Sequence, residues 1–243
     1  MARTGKESKA KQKKAERKAM EKKMNAGFAN VKLANEQEDP LSALPSLTSY
    51  NKNGLDLKLE TLRGPEIDEK TMEWAFKLME TNMKALYESC YQGKDPDLCW
   101  NESRKRDELT DPRAWFLIAK SAEGTPAAFA HFRYDMDYDD EVVYCYEIQV
   151  EPGFRRKGLG KFMLKVLELL MIKADMLKIM ATIFKNDEPE VSFFKNCLKF
   201  ETDETSPLDD VYETFQYEIV SRFNLKKKRE MEAKENSENK PIN

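Results

Sequence analysis

The spacing of hydrophobic residues divides the chain into strands and helices. Leucines alternate with charged residues over 55–60, which predicts a half-buried strand, whereas apolar residues follow the helical period over 68–89, which predicts a long helix. Residues 141–150 are the most strand-like, because they are rich in β-branched and aromatic side chains. The pattern also predicts strands over 114–120, 127–134, 177–184 and 212–220, and helices over 6–35, from 158 onward and over 188–198.

This order of elements predicts an α/β fold. Antiparallel neighbours followed by one strand–helix–strand crossover indicate a mixed, mostly antiparallel central sheet flanked by helices in three layers, with an N-terminal helical extension. Three regions are expected: a basic tail over 1–24 that is mobile or weakly helical, a domain over 25–225 that begins with a helical segment, and a charged C-terminal tail over 226–243. Residues 135–141, with five carboxylates, are expected to form an acidic loop between two strands.

Charge is distributed unevenly along the 243 residues. The formal net charge of −3 combines +7 over residues 1–24, +2 over 226–243 and −12 over 25–225. Such an acidic body attracts cationic ligands and repels phosphate backbones, so it is not expected to contact nucleic acid directly. The basic run KAKQKKAERK, residues 9–18, is compatible with nuclear import, and both nucleus and cytoplasm are expected locations.

Composition narrows the class of protein further. A hydrophobic content of 40% is enough for one sizeable core. No apolar run approaches the roughly 18 residues that span a bilayer, and the first residues lack the apolar stretch of a signal peptide. The four cysteines lack paired spacing and are expected to be reduced thiols, while a single histidine, His131, argues against a histidine triad or a metal site.

The segment EIQVEPGFRRKGLGK, residues 147–161, carries the clearest chemical signal. A predicted strand runs into a short basic loop that opens an amphipathic helix. Free N–H groups at a helix N-terminus bind phosphate groups, and Gly158 and Gly160 let the backbone approach an anion closely. Lys161 is followed by Phe162, so the hydroxyl of a Walker loop is missing, and the third glycine of a dinucleotide fingerprint is missing too.

The pattern Arg155-x-x-Gly158-x-Gly160 between a strand and a helix resembles the acetyl-CoA pyrophosphate loop of the GNAT acetyltransferases. Over residues 30–222 the chain is also similar to one branch of that family, NatD, which acetylates the N-termini of histones H4 and H2A. The blocks that carry this similarity are DPL (39–41), NGL (53–55), WAF (74–76), TNM (81–83), RAW (113–115), HFR (131–133), DEV–YCYE (140–147) and RRKGLGKF (155–162). YCYE and RRKGLGKF are the most specific of them.

The resemblance implies acetyl-CoA as cofactor, histone tails beginning Ser-Gly-Arg-Gly as partners, and direct transfer to an N-terminal amine without a Cys145 intermediate. It implies that Glu147 is the general base, and that Tyr144 and Tyr146 contact the backbone or relay a proton. Implied cofactor contacts are Ile148, Gln149, Val150, Arg155, Arg156, Lys157, Gly158, Leu159, Gly160, Lys161 and Asp187. Implied substrate contacts are Tyr87, Asp135, Asp137, Tyr146, Thr182 and Tyr217, of which Asp135 is expected to pair with an arginine of the substrate.

Two features depart from the pattern of the family. An Asn and then a Tyr often follow the strand predicted at 177–184, whereas here Asp187 falls in the Asn register, Asn186 fits it with a shift, and the Tyr is absent. The segment 91–100 also looks longer than its equivalent in the family. Glu108 is a further candidate for the acidic site, and His131 is expected to be a packed residue.

Three functions remain open at this stage. The first is transfer of an acetyl group to a protein N-terminus, and the second is transfer to a lysine or another small cationic amine. The third is a non-catalytic chromatin-binding module that uses the basic tail. No membrane partner is expected, and a monomer is expected.

Overall fold

Eight strands form one sheet in the structure, a computed structural model that describes residues 4–91 and 99–238. In chain order, β1 to β8 are Ser49–Lys52, Leu55–Arg63, Trp115–Ser121, Pro126–Asp137, Asp140–Val150, Lys178–Phe184, Glu201–Thr202 and Tyr217–Phe223. The helices α1 to α6 are Thr4–Asn35, Glu69–Tyr91, Glu102–Thr110, Leu159–Lys173, Glu188–Val191 and Leu225–Glu238, and a π-helical segment, Ser192–Cys197, continues α5.

The sheet is mixed and mostly antiparallel. Its strands lie in the order β1-β2-β3-β4-β5-β6-β8-β7, and among the described strands only the pair β5–β6 runs parallel. Helix α4 connects these two strands, as a parallel pair requires. The α/β fold with a flanked mixed sheet and an N-terminal helix, predicted from the hydrophobic pattern, is confirmed.

Helices cover both faces of the sheet. Helices α1 and α4 pack on the face that carries Trp115 and Leu117, whereas α2 and α3 pack on the face that carries Phe116 and Ile118. All four side chains are fully buried, which explains why β3 is a continuous apolar run without alternation. The β5–β6 pair therefore lies between two layers of helices.

Several predicted boundaries differ from the observed ones. Most of the expected acidic loop is strand, because β4 extends to Asp137 and β5 begins at Asp140, which leaves a two-residue turn. The last strand begins at Tyr217 instead of 212, and the charged segment after it forms α6 as far as Glu238. The short edge strands β1 and β7 were not predicted, because their pairing is set by neighbours that are distant in sequence.

The N-terminal basic segment is helical from residue 4, within α1. The C-terminal half of α1 lies against the β4–β5 hairpin, where Lys23 forms an ion pair of 2.7 Å with Asp140. Residues 1–3 and 239–243 of the predicted tails, and 92–98 of the segment predicted to be longer than in the family, lie outside the described residues. No helix in the described ranges is long and apolar enough to cross a lipid bilayer.

Candidate active site

The sheet opens between β5 and β6. The two strands pair only as far as Cys145 and Ala181, although β5 continues for five residues and β6 for three. The N–H group of Glu151 donates to a carbonyl of β4, so by strand alternation the backbone amides of Ile148 and Val150 face the gap. An extended ligand that carries amides can therefore pair with this edge of β5.

The gap is part of a cavity of about 1670 Å³. The predicted site residues that line it are Tyr87, Tyr144, Tyr146, Glu147, Ile148, Gln149, Val150, Arg155, Arg156, Gly158, Leu159, Gly160, Lys161, Thr182, Asp187 and Tyr217. Three others, Lys157, Asp135 and Asp137, are not among its lining residues. The cavity extends from the N-terminus of α4 to the tyrosines of β5.

A glycine cap opens α4 at one end of the cavity. Gly158 is the N-cap residue and has φ +85°, in the left-handed region that favours glycine. A Cβ at this position would lie 2.7 Å from the hydroxyl oxygen of Tyr50. Tyr50 itself donates a hydrogen bond of 2.6 Å to the carbonyl of Lys157, and Asn53 donates another to the same carbonyl at 2.8 Å. The β1–β2 hairpin thus fixes the loop.

This end of the cavity suits a diphosphate. The first N–H groups of α4 have no intrahelical acceptor, and the helix dipole adds positive potential there. Arg155, Arg156 and Lys161 are exposed around them. With the free strand edge at Ile148 and Val150, the residues present fit a cofactor that combines a diphosphate with an amide-containing arm.

A β-bulge in β5 places Glu147 on the opposite face of the sheet from Cys145. His131 pairs with Glu147 and Phe132 with Cys145, so Tyr146 is an extra residue without a partner on β4. In a regular strand Cys145 and Glu147 would share a face. Instead, Cys145 packs in the core under α1 and α4, whereas Glu147 faces α3 on the opposite side.

Glu147 is a buried carboxylate held by polar neighbours. Its side chain is 8% exposed, Gln149 donates to its Oε2 at 2.8 Å, and the Lys105 Nζ lies 3.9 Å from its Oε1. Burial raises the pKa of Glu147, and the Lys105 charge and the Gln149 hydrogen bond oppose that rise. Burial alone would lower the pKa of Lys105, but Glu147, Tyr87 and Glu108 outweigh it and raise that pKa, so the lysine stays charged.

Aromatic rings form a wall beside Glu147. Tyr146 stacks on His131 at 5.1 Å and lies 4.9 Å from Tyr144, measured between ring centroids. The Tyr144 hydroxyl and the Thr182 hydroxyl share a hydrogen bond of 2.6 Å across the gap. Burial raises the pKa of Tyr144 to about 12, so its phenol stays protonated at neutral pH. Tyr87, on α2, completes the wall, and the Lys105 Nζ lies 4.9 Å from its ring centroid.

A second carboxylate, which is half-buried, lies on the other side of the gap. The Oε2 of Glu190 accepts a hydrogen bond of 3.0 Å from the Phe184 N–H at the end of β6. Since the next N–H, that of Lys185, faces β8, this one faces the gap. Burial raises the pKa of Glu190 to about 8 against the effect of that hydrogen bond, and Asp187 and Glu147 raise it further.

The residue in the family's Asn register has a structural contact of its own. Asp187 is the N-cap of α5 and its Oδ1 accepts from the Glu190 N–H at 3.1 Å. Asn186 accepts a hydrogen bond from the Cys90 thiol at 3.3 Å. Asp187 lines the cavity, whereas Asn186 is not among its lining residues.

Asp135 and Asp137 were both predicted to contact the substrate, with Asp135 expected to pair with an arginine, and both lie at the end of β4 and are not among the residues that line the cavity. Asp135 forms an ion pair of 3.1 Å with Arg113, which also pairs with Asp111. Asp137 is partly buried, and burial raises its pKa while the nearby Lys178 opposes the rise. Both carboxylates lie on the strand that precedes the bulged segment of β5.

Two residues fit the roles that the sequence predicted for them. Burial, followed by the charges of Glu147 and Glu190, raises the pKa of the Cys145 thiol far above its usual value, so it is not an activated nucleophile. His131 is 1% exposed, and burial lowers its pKa to about 3, so it is a neutral packed residue.

Four residues of the cavity or its support were not predicted. Asn82 and Lys105 come from α2 and α3, Glu190 from α5, and Tyr50 from the β1–β2 hairpin. Asn82 lies in the TNM block (81–83), which carried the resemblance but no assigned role, whereas Tyr50, Lys105 and Glu190 stand in no local motif. The tertiary fold brings all four to the cavity or its support.

Comparison with known proteins agrees with this geometry. The acetyltransferase (GNAT) family model matches residues 80–200. A GNAT acetyltransferase from Listeria monocytogenes 4b F2365 is similar at 15% identity and a TM-score of 0.50, with 72% of this chain and 99% of that chain covered. PaiA N-acetyltransferase from Thermoplasma acidophilum, in complex with coenzyme A, has 14% identity and a TM-score of 0.49, with 70% and 99% covered. Arabidopsis thaliana Naa50 has 16% identity and a TM-score of 0.45, with 68% and 97% covered.

At these identities the structural likeness concerns the fold alone. The family match, the gap between β5 and β6 and the glycine-capped loop together define an acetyl-CoA-dependent acyltransferase. The chain belongs to the GNAT acetyltransferase superfamily.

Proposed function

We propose that the chain is an N-terminal amine acetyltransferase of the NatD type, whose acceptors are cationic protein N-termini such as those of histones H4 and H2A. The observation that carries this proposal is the arrangement beside the gap: the buried carboxylate of Glu147, with Glu108 nearby, behind a wall of three tyrosines. A cationic amine that enters between the rings meets negative charge at its end. The sequence blocks shared with that branch support the same acceptor.

The chemistry of an α-amine suits a carboxylate base. A protein N-terminus has a pKa of about 8, whereas a lysine side chain has one of about 10.4. A carboxylate whose pKa is raised by burial can therefore take the proton of an α-amine, directly or through one water. Glu147 is that base in this proposal, and Tyr144 and Tyr146 hold the amine in place.

Different residues along the cavity would bind different parts of the cofactor and of the acceptor. The loop from Arg155 to Lys161 would hold the diphosphate, and the amides of Ile148 and Val150 would hold the arm. The bound cofactor supplies an acetyl group as a thioester. Cys145 keeps its proton and takes no part, so the amine would receive the acetyl group directly. The amide bond would form as the C–S bond of the thioester breaks, and CoA would leave as a thiolate that takes a proton from solvent. Tyr87, Thr182 and Tyr217 would contact the first residues of the acceptor.

Asp135 and Asp137 would recognise an arginine near the start of the acceptor. Asp135 already binds a guanidinium in the structure, that of Arg113 at 3.1 Å. An arginine of the acceptor would take the same position, since a carboxylate accepts a guanidinium in a bidentate manner. If histone tails are the acceptors, the enzyme would act in the nucleus, where histones are located, and in the cytoplasm, where they are synthesised.

Peptide substrates test this proposal. A peptide that begins Ser-Gly-Arg-Gly-Lys should be acetylated on its α-amine, as mass spectrometry of the fragments would show. The matched control is the same peptide with a blocked N-terminus, which should remain unmodified. Equal transfer to the blocked peptide would instead establish a lysine acetyltransferase, and the α-amine proposal would be wrong. Replacement of the peptide arginine by alanine should raise KM more than it lowers kcat.

A further inference from the structure

Four side chains connect the cofactor loop to the buried carboxylate of β5. The Arg155 Nη2 donates to the Asn82 Oδ1 at 2.7 Å, the Asn82 Nδ2 donates to the Gln149 Oε1 at 2.8 Å, and the Gln149 Nε2 donates to the Glu147 Oε2 at 2.8 Å. The four residues come from the loop before α4, from α2 and from β5. They form one continuous line of hydrogen bonds between two parts of the site that serve different steps.

The direction of this line is fixed by the groups at its ends. Arg155 can only donate hydrogen bonds, and an ionised Glu147 can only accept them. Each amide in between must therefore accept with its oxygen on the Arg155 side and donate with its nitrogen on the Glu147 side. Asn82 and Gln149 both have this orientation, so all the amide dipoles point the same way.

The hydrogen bond between Gln149 and Glu147 is buried, so its loss would be costly. Gln149 is 6% exposed and Glu147 is 8% exposed, so water is a poor substitute for their mutual hydrogen bond. If the Gln149 amide turned over, its oxygen would face the carboxylate and repel it. Asn82 prevents that turn by donating to the Gln149 oxygen, and Arg155 in turn holds Asn82.

We propose that Asn82 and Gln149 are positioning residues that keep Glu147 ionised and oriented as the base, and that Arg155 links them to the cofactor loop. This proposal rests on the proposed function, in which Glu147 takes the proton of the acceptor amine. The Gln149 hydrogen bond stabilises the carboxylate form, and Lys105 stabilises it from the side of the other oxygen. Glu108, Tyr87 and Glu190 are further titratable groups that interact electrostatically with Glu147, and Asp187 and Glu188 also line the cavity.

The test compares Gln149→Leu, Asn82→Leu and the double variant in the full chain. Loss of a hydrogen bond to a charged group should lower kcat about ten-fold on the acidic limb of the pH profile, and the deficit should shrink as the pH rises and Glu147 ionises without that hydrogen bond. The CoA affinity of Gln149→Leu by calorimetry should stay within about three-fold of wild type, because the Gln149 side chain donates to Glu147 whereas the cofactor arm is expected at the backbone amides of Ile148 and Val150. Carboxyl-carbon NMR should show Glu147 titrating at higher pH in Gln149→Leu.

The double variant separates positioning from general damage. In this proposal Asn82 acts on Glu147 through Gln149, so Asn82→Leu should add almost nothing to the change in the pH profile once Gln149 is leucine. Glu88→Gln, an exposed position on the same helix α2, is the matched control and should leave the pH profile unchanged. A loss of kcat that is equal at all pH values, additive effects of the two substitutions, or an unmoved Glu147 titration would overturn the proposal.

The outcomes also distinguish failure of this proposal from failure of the proposed acetyltransferase function. If the wild-type chain transfers no acetyl group to a free α-amine, the proposed function is wrong and the role of Glu147 as base goes with it. If the wild type is active but the pH profiles and the NMR titration do not move, only the role of Asn82 and Gln149 is wrong.

Discussion

Replacement of Glu190 by glutamine should stabilise the protein in a way that depends on pH. The Glu190 carboxyl lies in the gap, where burial raises its pKa to about 8 from the usual 4.5. A group whose folded pKa is raised favours folding fully only below its unfolded pKa, and the benefit is lost as the pH rises through the folded pKa. Glutamine stays neutral at every pH and keeps an oxygen that can accept from the Phe184 N–H.

The size of the effect follows from the two pKa values. Wild type and Glu190→Gln should differ least below about pH 4.5, and the difference should grow by at most about 1.4 kcal/mol per pH unit up to about pH 8. At pH 7 this gives an upper bound of about 3.4 kcal/mol in the free energy of unfolding. The carboxyl borders an open cavity, so screening by solvent reduces the expected gain to about 1–2 kcal/mol.

Urea unfolding followed by circular dichroism between about pH 5 and pH 9 measures this difference. Glu188→Gln is the matched control, because that residue is exposed on the same short helix α5 and should give no pH-dependent gain. A gain that is constant over the whole range would contradict the argument, since it would arise from packing instead of ionisation. A gain that falls as the pH rises would contradict the sign of the shift.

Three further substitutions test the cofactor loop and the base. Gly158→Ala should abolish the thermal stabilisation by CoA, because φ is +85° and the new Cβ would lie 2.7 Å from the Tyr50 oxygen; a retained shift in melting temperature would contradict this. Tyr50→Phe removes the hydrogen bond to the Lys157 carbonyl and should weaken CoA binding about five-fold in calorimetry, and unchanged affinity would show that Asn53 suffices. Lys105→Met removes a charge that lowers the pKa of Glu147, so the acidic limb of the kcat profile should move to higher pH, and an unmoved limb would exclude that influence.

Local pattern was enough to predict most of the fold. The alternation over 55–60 predicts a strand buried on one face, and the apolar run of β3 predicts a strand buried on both faces. The α2 and α4 helices follow from their apolar stripes in the same way. The missed elements β1 and β7 are four and two residues long, too short for a periodicity, and they exist because a long neighbour offers them partners.

The site was predictable only where its chemistry is continuous in sequence. The loop from Arg155 to Lys161 joins a strand end, glycines and a helix start within a few residues, so the sequence alone leads to the expectation that it binds a diphosphate. The support of Glu147 is different, because Lys105 and Asn82 lie more than forty residues away along the chain. Their types and positions make sense only after α2 and α3 are packed on the sheet.

The bulge at Tyr146 explains why the gap and the carboxylate occur together. An extra residue in one strand bends it and increases its local twist. In β5 this residue follows Cys145, and Cys145 is also the last residue that pairs with β6. The same irregularity therefore directs the end of β5 away from β6, which frees the amides of Ile148 and Val150. It also moves Glu147 from the core face to the face of α2 and α3, where Gln149 and Lys105 meet it. A regular strand of the same composition would bury Glu147 beside Cys145 and close the gap, so one inserted residue creates both halves of the site.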